Sequence, residues 1–148
     1  MQKNIINIGI ASDHAGFEIK EAIKKELSNR GITLRDYGTH STDSMDYPDV
    51  AHPLALAVER GEHNFGIALC GSGNGISMTL NKHQQIRAAL CWTPQIATLA
   101  RSHNNANILT IPARFVSKEE ALQIVDEFLN TNFEGGRHLN RVNKIACQ

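Results

Sequence analysis

The sequence has no excess of either charge, because its 15 lysines and arginines balance its 15 aspartates and glutamates. A partner such as a nucleic acid or an anionic membrane would call for a basic protein surface. The balance therefore indicates neither a nucleic acid nor a membrane as a partner. Any anion that the protein binds should be small and held locally.

Cysteine is also scarce, since Cys70, Cys91 and Cys147 are odd in number and show no CxxC spacing. Such a set argues against a disulfide framework and against a cysteine-based zinc site, and it suits a reducing cytosol. The sequence also lacks a signal-peptide pattern at its start and any apolar run near the roughly 20 residues of a membrane helix. We therefore expect a cytoplasmic protein.

What the sequence does have is a regular alternation of strand and helix patterns over 148 residues, which predicts one domain spanning residues 1–148. Strands are predicted at 5–11, 33–37, 65–70, 87–91 and 107–111. Helices are predicted between 19 and 31, between 48 and 61, and from the end of the glycine-rich segment 71–75 to about residue 81. Three more are predicted over 94–102, 117–129 and 137–146. Short links in such an alternation imply parallel strands with helices on both faces. The predicted fold class is α/β, a Rossmann-like three-layer sandwich with a five-stranded parallel sheet.

Ligands of such sheets bind beyond the carboxyl ends of the strands, so the residues that follow each strand are the candidates for a site. Asp13 and His14 follow the first strand and bring a carboxylate and an imidazole to this edge of the sheet. Helix capping by Asp13 is the simpler alternative.

The most informative segment follows the third strand and consists of Cys70, Gly71, Ser72, Gly73, Asn74 and Gly75. Glycines allow the backbone to approach a ligand closely, and free amides at a helix start can bind a phosphate or an oxyanion. The same partial positive charge would favour a Cys70 thiolate, which can take a proton or attack a carbon. The alternative is a buried, inert cysteine, which is our interpretation of Cys91.

Three familiar glycine-loop chemistries do not fit the spacing. A dinucleotide fingerprint needs its third glycine three positions after the second, but Gly75 comes two after Gly73. An ATP-binding P-loop needs Lys-Ser or Lys-Thr directly after its last glycine, where this chain has Ile76. A cysteine phosphatase would need an arginine inside the loop to clamp the phosphoryl group, and residues 71–77 contain none.

Further candidates lie later in the chain. His103 and Asn104 end a predicted helix, where a histidine is by default a helix-terminal or solvated residue, although an imidazole beside amides also suits proton transfer to sugar oxygens. Arg114 follows the fifth strand, and Arg137 and Arg141 are four apart, so that both share one face of a helix. Charged helix faces are usually solvated. Arg137, however, lies at a predicted helix start, where its positive charge is repelled by the positive end of the helix dipole. A bound phosphate would remove this repulsion.

Six segments, in this order and at these separations, closely resemble the ribose-5-phosphate isomerase B family over nearly the whole chain. They are SDHAGF (12–17), DYP (46–48), CGSGNGIS (70–77), NK (81–82), HN (103–104) and EGGRH (134–138) with Arg141. Galactose-6-phosphate and allose-6-phosphate isomerases are similar to this family. The resemblance implies an aldose–ketose isomerase of the pentose phosphate pathway without metal or other cofactor. It also implies a homodimer with active sites at the subunit interface.

Carried over by position, the resemblance makes Cys70 the base that moves a proton between C1 and C2 of the sugar. Ser72 and the amides of residues 71–75 would support the enediolate. One branch of the family uses a glutamate six positions after the cysteine, and that position here is Ile76. The cysteine branch is therefore the consistent assignment.

The resemblance implies further roles in ring opening and binding. His103, aided by Asp13, would open the furanose ring, and Asn104 would stabilise the anionic intermediate. The other substrate-binding residues are His14, Tyr47, Arg114, Arg137 and Arg141, of which His14, Arg137 and Arg141 match the phosphate ligands.

Two alternatives stay open at this point. Pocket depth depends on side chains such as Tyr47, Trp92 and Phe115, so a six-carbon sugar phosphate such as allose 6-phosphate or galactose 6-phosphate competes with ribose 5-phosphate. A phosphosugar-binding sensor would use the same anion loop without chemistry. The sequence also leaves open whether dimers pair into tetramers.

Overall fold

The computed structural model describes residues 6–147 and contains a sheet of five parallel strands with helices on both faces. The strands are β1 (Asn7–Ser12), β2 (Thr33–Asp36), β3 (Phe65–Cys70), β4 (Ala88–Leu90) and β5 (Ile108–Pro112). The helices are α1 (Phe17–Asn29), α2 (Pro48–Glu59), α3 (Asn74–Leu80), α4 (Pro94–Ser102), α5 (Lys118–Asn130) and α6 (Arg137–Val142), and a short 3-10 helix, His14–Gly16, precedes α1. This architecture confirms the predicted α/β class with a five-stranded parallel sheet.

The order of the strands across the sheet is β2-β1-β3-β5-β4. From β1 the chain moves to one edge of the sheet, and from β3 it moves to the opposite edge, so the direction of winding reverses between these two strands. Their pairing runs from Ile8 opposite Phe65 to Ser12 opposite Leu69. Ligand sites of open parallel sheets form at such a switch point, beyond the carboxyl ends of the strands. The segments that follow β1 and β3 therefore meet where a site is expected.

Alternate residues of the central strands enter two different cores. Ile67 and Leu69 of β3 pack with buried residues of α1, α4 and α5, whereas Ala68 and Cys70 pack with buried residues of α2 and α3. Successive side chains of a strand point to opposite faces, so these two cores are the two faces of the sheet. Burial on both faces explains why the strands are short continuous apolar runs in the sequence.

Three predicted element bounds were wrong. The first strand, predicted at 5–11, runs over Asn7–Ser12, and residue 5 lies outside the described residues. The fourth strand, predicted at 87–91, runs over Ala88–Leu90, and directly before it the Arg87 backbone N–H donates to the Asn107 side chain at 2.7 Å. The last helix, predicted at 137–146, ends at Val142, after which the chain turns and the Cys147 N–H donates to Gln84 Oε1 at 2.6 Å.

The other bounds agree closely with the predicted ones. Ser117 and Glu120 form the predicted capping box at the start of α5, with Glu120 N–H donating to Ser117 Oγ at 3.1 Å and Ser117 N–H donating to Glu120 Oε1 at 2.9 Å. Within residues 6–147, no helix combines the length and the apolar character that a membrane crossing requires.

Candidate active site

A cleft of about 710 Å³ lies beyond the carboxyl ends of β1 and β5. Its walls include four of the predicted site residues, Asp13, His14, Tyr47 and Arg114, and the rest of its lining comes from residues 44–49. These side chains come from three separate segments of the sequence, and the sheet topology alone brings them together.

Asp13 and His14 are held in defined orientations at the end of β1. Asp13 Oδ1 accepts hydrogen bonds from the backbone N–H groups of Ala15 at 2.9 Å and Gly16 at 3.3 Å. Asp13 therefore caps the 3-10 helix, which was the simpler of the two interpretations of this residue. His14 Nδ1 accepts the backbone N–H of Met45 at 3.2 Å. With Nδ1 acting as an acceptor, the ring proton of a neutral His14 lies on Nε2, which becomes a hydrogen-bond donor.

The glycine loop (residues 71–75) lies beside this cleft and contacts two of the side chains that line it. A Cβ atom built on Gly71 would lie 3.1 Å from Nη1 of Arg114, and one built on Gly75 would lie 2.3 Å from Cζ of Tyr47. Both side chains therefore pack directly on the loop backbone, which is possible because these positions are glycine. The Arg114 backbone N–H also donates to the Gly71 carbonyl at 3.0 Å, which fixes the arginine over the loop.

Cys70 lies at the junction of β3 and this loop and is 4% exposed. The backbone N–H of Ala113 donates to its carbonyl at 3.0 Å, so the residue is fixed between β3 and the segment after β5. Beyond it, Ser72 and Asn74 are exposed, and Ser72 Oγ accepts the Asn74 N–H at 3.3 Å. The structure thus places one buried thiol beside a short, exposed, polar turn.

Gly73 turns the loop into α3 with φ = 76°, and a Cβ there would lie 2.3 Å from Cδ1 of Leu90. Gly61 has the same φ of 76° but no atom within 4 Å of such a Cβ.

We expect Gly61→Ala to lower the free energy of unfolding by about 1–2 kcal/mol through the left-handed backbone alone. Gly73→Ala should cost roughly a further 1–3 kcal/mol from overpacking against Leu90. Urea denaturation of both variants measures the difference, and equal losses would contradict the steric argument.

The remaining predicted site residues form a second group that does not line the cleft. His103 follows α4, and Arg137 and Arg141 lie exposed on α6. Asn104 is also exposed and borders a different cavity of about 360 Å³, together with residues near the C-terminus such as Ile145. Within residues 6–147 of one chain, the predicted site is therefore divided between two places.

The second group is organised around two stacked imidazoles. The rings of His103 and His138 have centroids 4.2 Å apart and planes 15° apart. Glu134 Oε1 lies 3.9 Å from His103 Nε2 and 4.0 Å from His138 Nε2. Burial, followed by the adjacent His103 and Arg137, lowers the pKa of His138 against the opposing effect of Glu134. His138 is therefore mainly neutral at pH 7.

Arg101 supports this group, and the sequence prediction gave it no role. Its guanidinium is buried and donates to Asn105 Oδ1 at 3.0 Å and to the carbonyl of Ala106 at 2.6 Å, and its Nε donates to the carbonyl of Thr131 at 3.3 Å. These bonds connect the turn after α4, in which Asn105 has φ = 49°, to the segment that leads into α6. The signal that could have identified Arg101 is its position on the apolar face of α4, beside Ala97 and Ala100.

The sequence model of a family described as Ribose/Galactose Isomerase matches residues 8–145 of the chain. Among curated relatives, the ribose-5-phosphate isomerase B of Escherichia coli is 45% identical over 140 residues, which cover 95% of this chain and 94% of that protein.

Solved structures agree with this match. A ribose 5-phosphate isomerase from Thermotoga maritima superimposes with a TM-score of 0.94 and 52% identity, over 95% of this chain and 97% of that one. The ribose-5-phosphate isomerase B of Mycoplasma genitalium, solved with bound ribulose 5-phosphate, gives a TM-score of 0.90 and 42% identity, over 95% of this chain and 93% of that one.

Proposed function

The chain belongs to the ribose/galactose isomerase family, and from that premise we propose that it interconverts D-ribose 5-phosphate and D-ribulose 5-phosphate. The observation that carries the proposal is the position of Arg114 and Tyr47, which line the cleft and pack on the glycine loop that follows Cys70. A sugar phosphate in the cleft would thus have a guanidinium and a phenol group within reach, both next to the glycine loop that follows Cys70.

Binding would orient the substrate before any proton moves. His14 donates from Nε2 and Arg114 supplies a guanidinium, and both suit the oxygens of a phosphate group. Arg137 and Arg141 would complete the phosphate site. Fixing the phosphate would hold C1 and C2 of the sugar in a set position near the loop, so binding energy is converted into orientation of the reacting atoms.

Isomerisation would then require only proton transfers. His103, with Asp13, opens the furanose by giving a proton to the ring oxygen while the anomeric hydroxyl loses one. The Cys70 thiolate takes the proton from C2, and the electron pair of that C–H bond forms the C1=C2 bond of a cis-enediolate with negative charge on O1. Ser72, Asn104 and the loop amides stabilise this oxyanion. Cys70 returns the proton to C1, and the net transfer of a proton from O2 to O1 completes the ketose.

This mechanism needs two chains, because His103, Asn104, Arg137 and Arg141 do not line the cleft that contains Asp13 and Arg114. We infer a homodimer in which the second group of one chain completes the cleft of the other. Two large apolar side chains support an interface beside the glycine loop, since Phe115 is 74% exposed and Trp92 is 53% exposed. Both border a cavity of about 360 Å³ that also includes Ser72 and Asn74.

The proposed function is tested by the rate at which the purified protein converts ribose 5-phosphate to ribulose 5-phosphate with a chelator present. Allose 6-phosphate and galactose 6-phosphate are assayed in parallel, because one extra carbon changes binding by only about 1–3 kcal/mol in an apolar pocket. We expect the highest kcat/KM for ribose 5-phosphate. A higher kcat/KM for a hexose phosphate would make that sugar the substrate. Thermal stabilisation by these sugar phosphates without turnover would indicate a phosphosugar-binding sensor instead of an enzyme.

A further inference from the structure

His103, Glu134 and His138 form a compact group of metal-ligating side chains. One ligand atom from each residue lies within 4.8 Å of the other two. The carboxylate oxygen faces Nε2 of both histidines, at 3.9 Å from one and 4.0 Å from the other. Neither distance is a hydrogen bond, so the two rings converge on one carboxylate oxygen without binding it directly.

We propose that this group is an inhibitory binding site for Zn²⁺ or a similar divalent transition metal. Two imidazoles and one carboxylate are a donor set that zinc uses in proteins, with a fourth position left for water. Three atoms at these separations leave a central point roughly 2.5 Å from each, so a contraction of about half an ångström gives the Zn–N and Zn–O distances of about 2.0–2.2 Å.

Of the two imidazoles, that of His138 is the more enclosed, since its side chain is 10% exposed and that of His103 is 38% exposed. His138 Nε2 lies 4.0 Å from Glu134 Oε1 and so faces the position that the metal would occupy.

His103 provides the freedom of movement that binding requires. Its side chain is 38% exposed, so the ring can turn out of the stack with His138 and direct its lone pair at the ion. The exposed Arg137 and Arg141 on α6 add positive charge nearby and oppose a cation. We therefore expect a reversible site of moderate affinity and not a permanent structural one.

The consequence for catalysis rests on the proposed function. An imidazole nitrogen that coordinates a metal can neither donate nor accept a proton. A metal at this site would therefore remove His103 from ring opening and also place a cation beside the arginines that would hold the phosphate. The isomerase should be inhibited by free Zn²⁺ and restored by a chelator.

The chain also contains a matched control pair of histidines. His52 Nδ1 and His83 Nε2 are 2.7 Å apart and share a hydrogen bond, and His83 Nδ1 lies 3.5 Å from Glu59 Oε1. A shared proton already occupies the space between these two nitrogens. His83→Asn therefore removes a histidine beside a carboxylate without touching the proposed site, and Cys147→Ser removes the exposed thiol.

Zinc binding is measured directly, by competition of the full-length protein with a chromogenic chelator, and isomerase activity is measured in the same solutions. We expect one Zn²⁺ per chain, with the dissociation constant raised by about tenfold or more in both His138→Asn and Glu134→Gln, since each lacks one of three protein ligands. His83→Asn and Cys147→Ser should bind as the unmodified protein does. The exposed Glu134 makes Glu134→Gln informative even if His138→Asn folds poorly.

The two readouts separate the metal site from the proposed function. Unchanged zinc affinity in Glu134→Gln, or loss of binding in a control variant, would overturn the metal site. Binding that follows the predicted variants but leaves isomerase activity unchanged would overturn the inhibitory role. If the protein binds zinc as expected but has no isomerase activity with chelator present, the metal site is supported and the proposed function is contradicted.

Discussion

Replacement of Cys70 by alanine should lower kcat for ribose 5-phosphate isomerisation by about 10²–10⁴-fold, the range that a positioned proton-transfer group supplies. The physical reason is its place at the end of β3, directly before the glycine loop on which Arg114 and Tyr47 pack. No other side chain of that loop can act as a base of comparable strength, since it contains only glycine, serine and asparagine. Steady-state rates with both ribose and ribulose 5-phosphate measure the loss in each direction.

Cys91 is the matched control for this experiment. It is fully buried, and burial raises the pKa of its thiol to about 12, so it stays protonated at neutral pH. Cys91→Ala should therefore retain near-normal kcat, whatever its effect on thermal stability. Circular dichroism of Cys70→Ala should match that of the unmodified protein. A Cys70→Ala enzyme with full activity, or equal losses in both variants, would remove Cys70 as the base.

The fold could be predicted because its strongest signals are local. Apolar runs of strand length alternate with helical periodicity, and short links leave parallel pairing with helices on both faces as the consistent arrangement. The bounds that were wrong depend on tertiary contacts, such as the bond from Arg87 N–H to the Asn107 side chain directly before β4. A sequence pattern contains no information on such a partner 20 residues away. The single-domain organisation and the cytoplasmic location stay predictions.

The candidate site was predictable where position after a strand selected it. The rule that ligands bind beyond the carboxyl ends identified Asp13, His14, Cys70 and Arg114, three of which line the cleft. His103 and Asn104 were candidates by residue type, but only the family resemblance gave each a role, because residues at a helix end have many ordinary explanations. Their roles, like that of Cys70, stay predictions.

The sequence offered little on what supports these residues. Arg101 stands on an apolar helix face, where a charged residue is unusual, but its three acceptors depend on the loop geometry between α4 and α6. His138 and Glu134 belong to the recognised EGGRH segment, yet the stacking of His138 on His103 joins residues 35 positions apart and follows only from the packing of α6. Contacts of this kind have no periodic signature in the sequence.

A mixture of two inactive variants should recover activity if the site is shared between subunits. Cys70→Ala lacks the base and His103→Asn lacks the ring-opening group, so each homodimer should be inactive on the cyclic substrate. In a mixed dimer, one site combines the intact Cys70 of one chain with the intact His103 of the other, and the second site lacks both. Random re-assembly of equal amounts should restore about a quarter of the unmodified activity, because half of the dimers are mixed and each has one complete site.

The control for this experiment exchanges subunits between Cys70→Ala and the double variant Cys70→Ala/His103→Asn, which cannot generate a complete site in any dimer. That mixture should stay inactive, so any recovery is attributable to complementation and not to refolding. A mixture of the single variants that also stays inactive, while size-exclusion chromatography and mass spectrometry show mixed dimers, would mean that Cys70 and His103 act within one chain. Since His103 does not line the cleft of its own chain, we expect recovery.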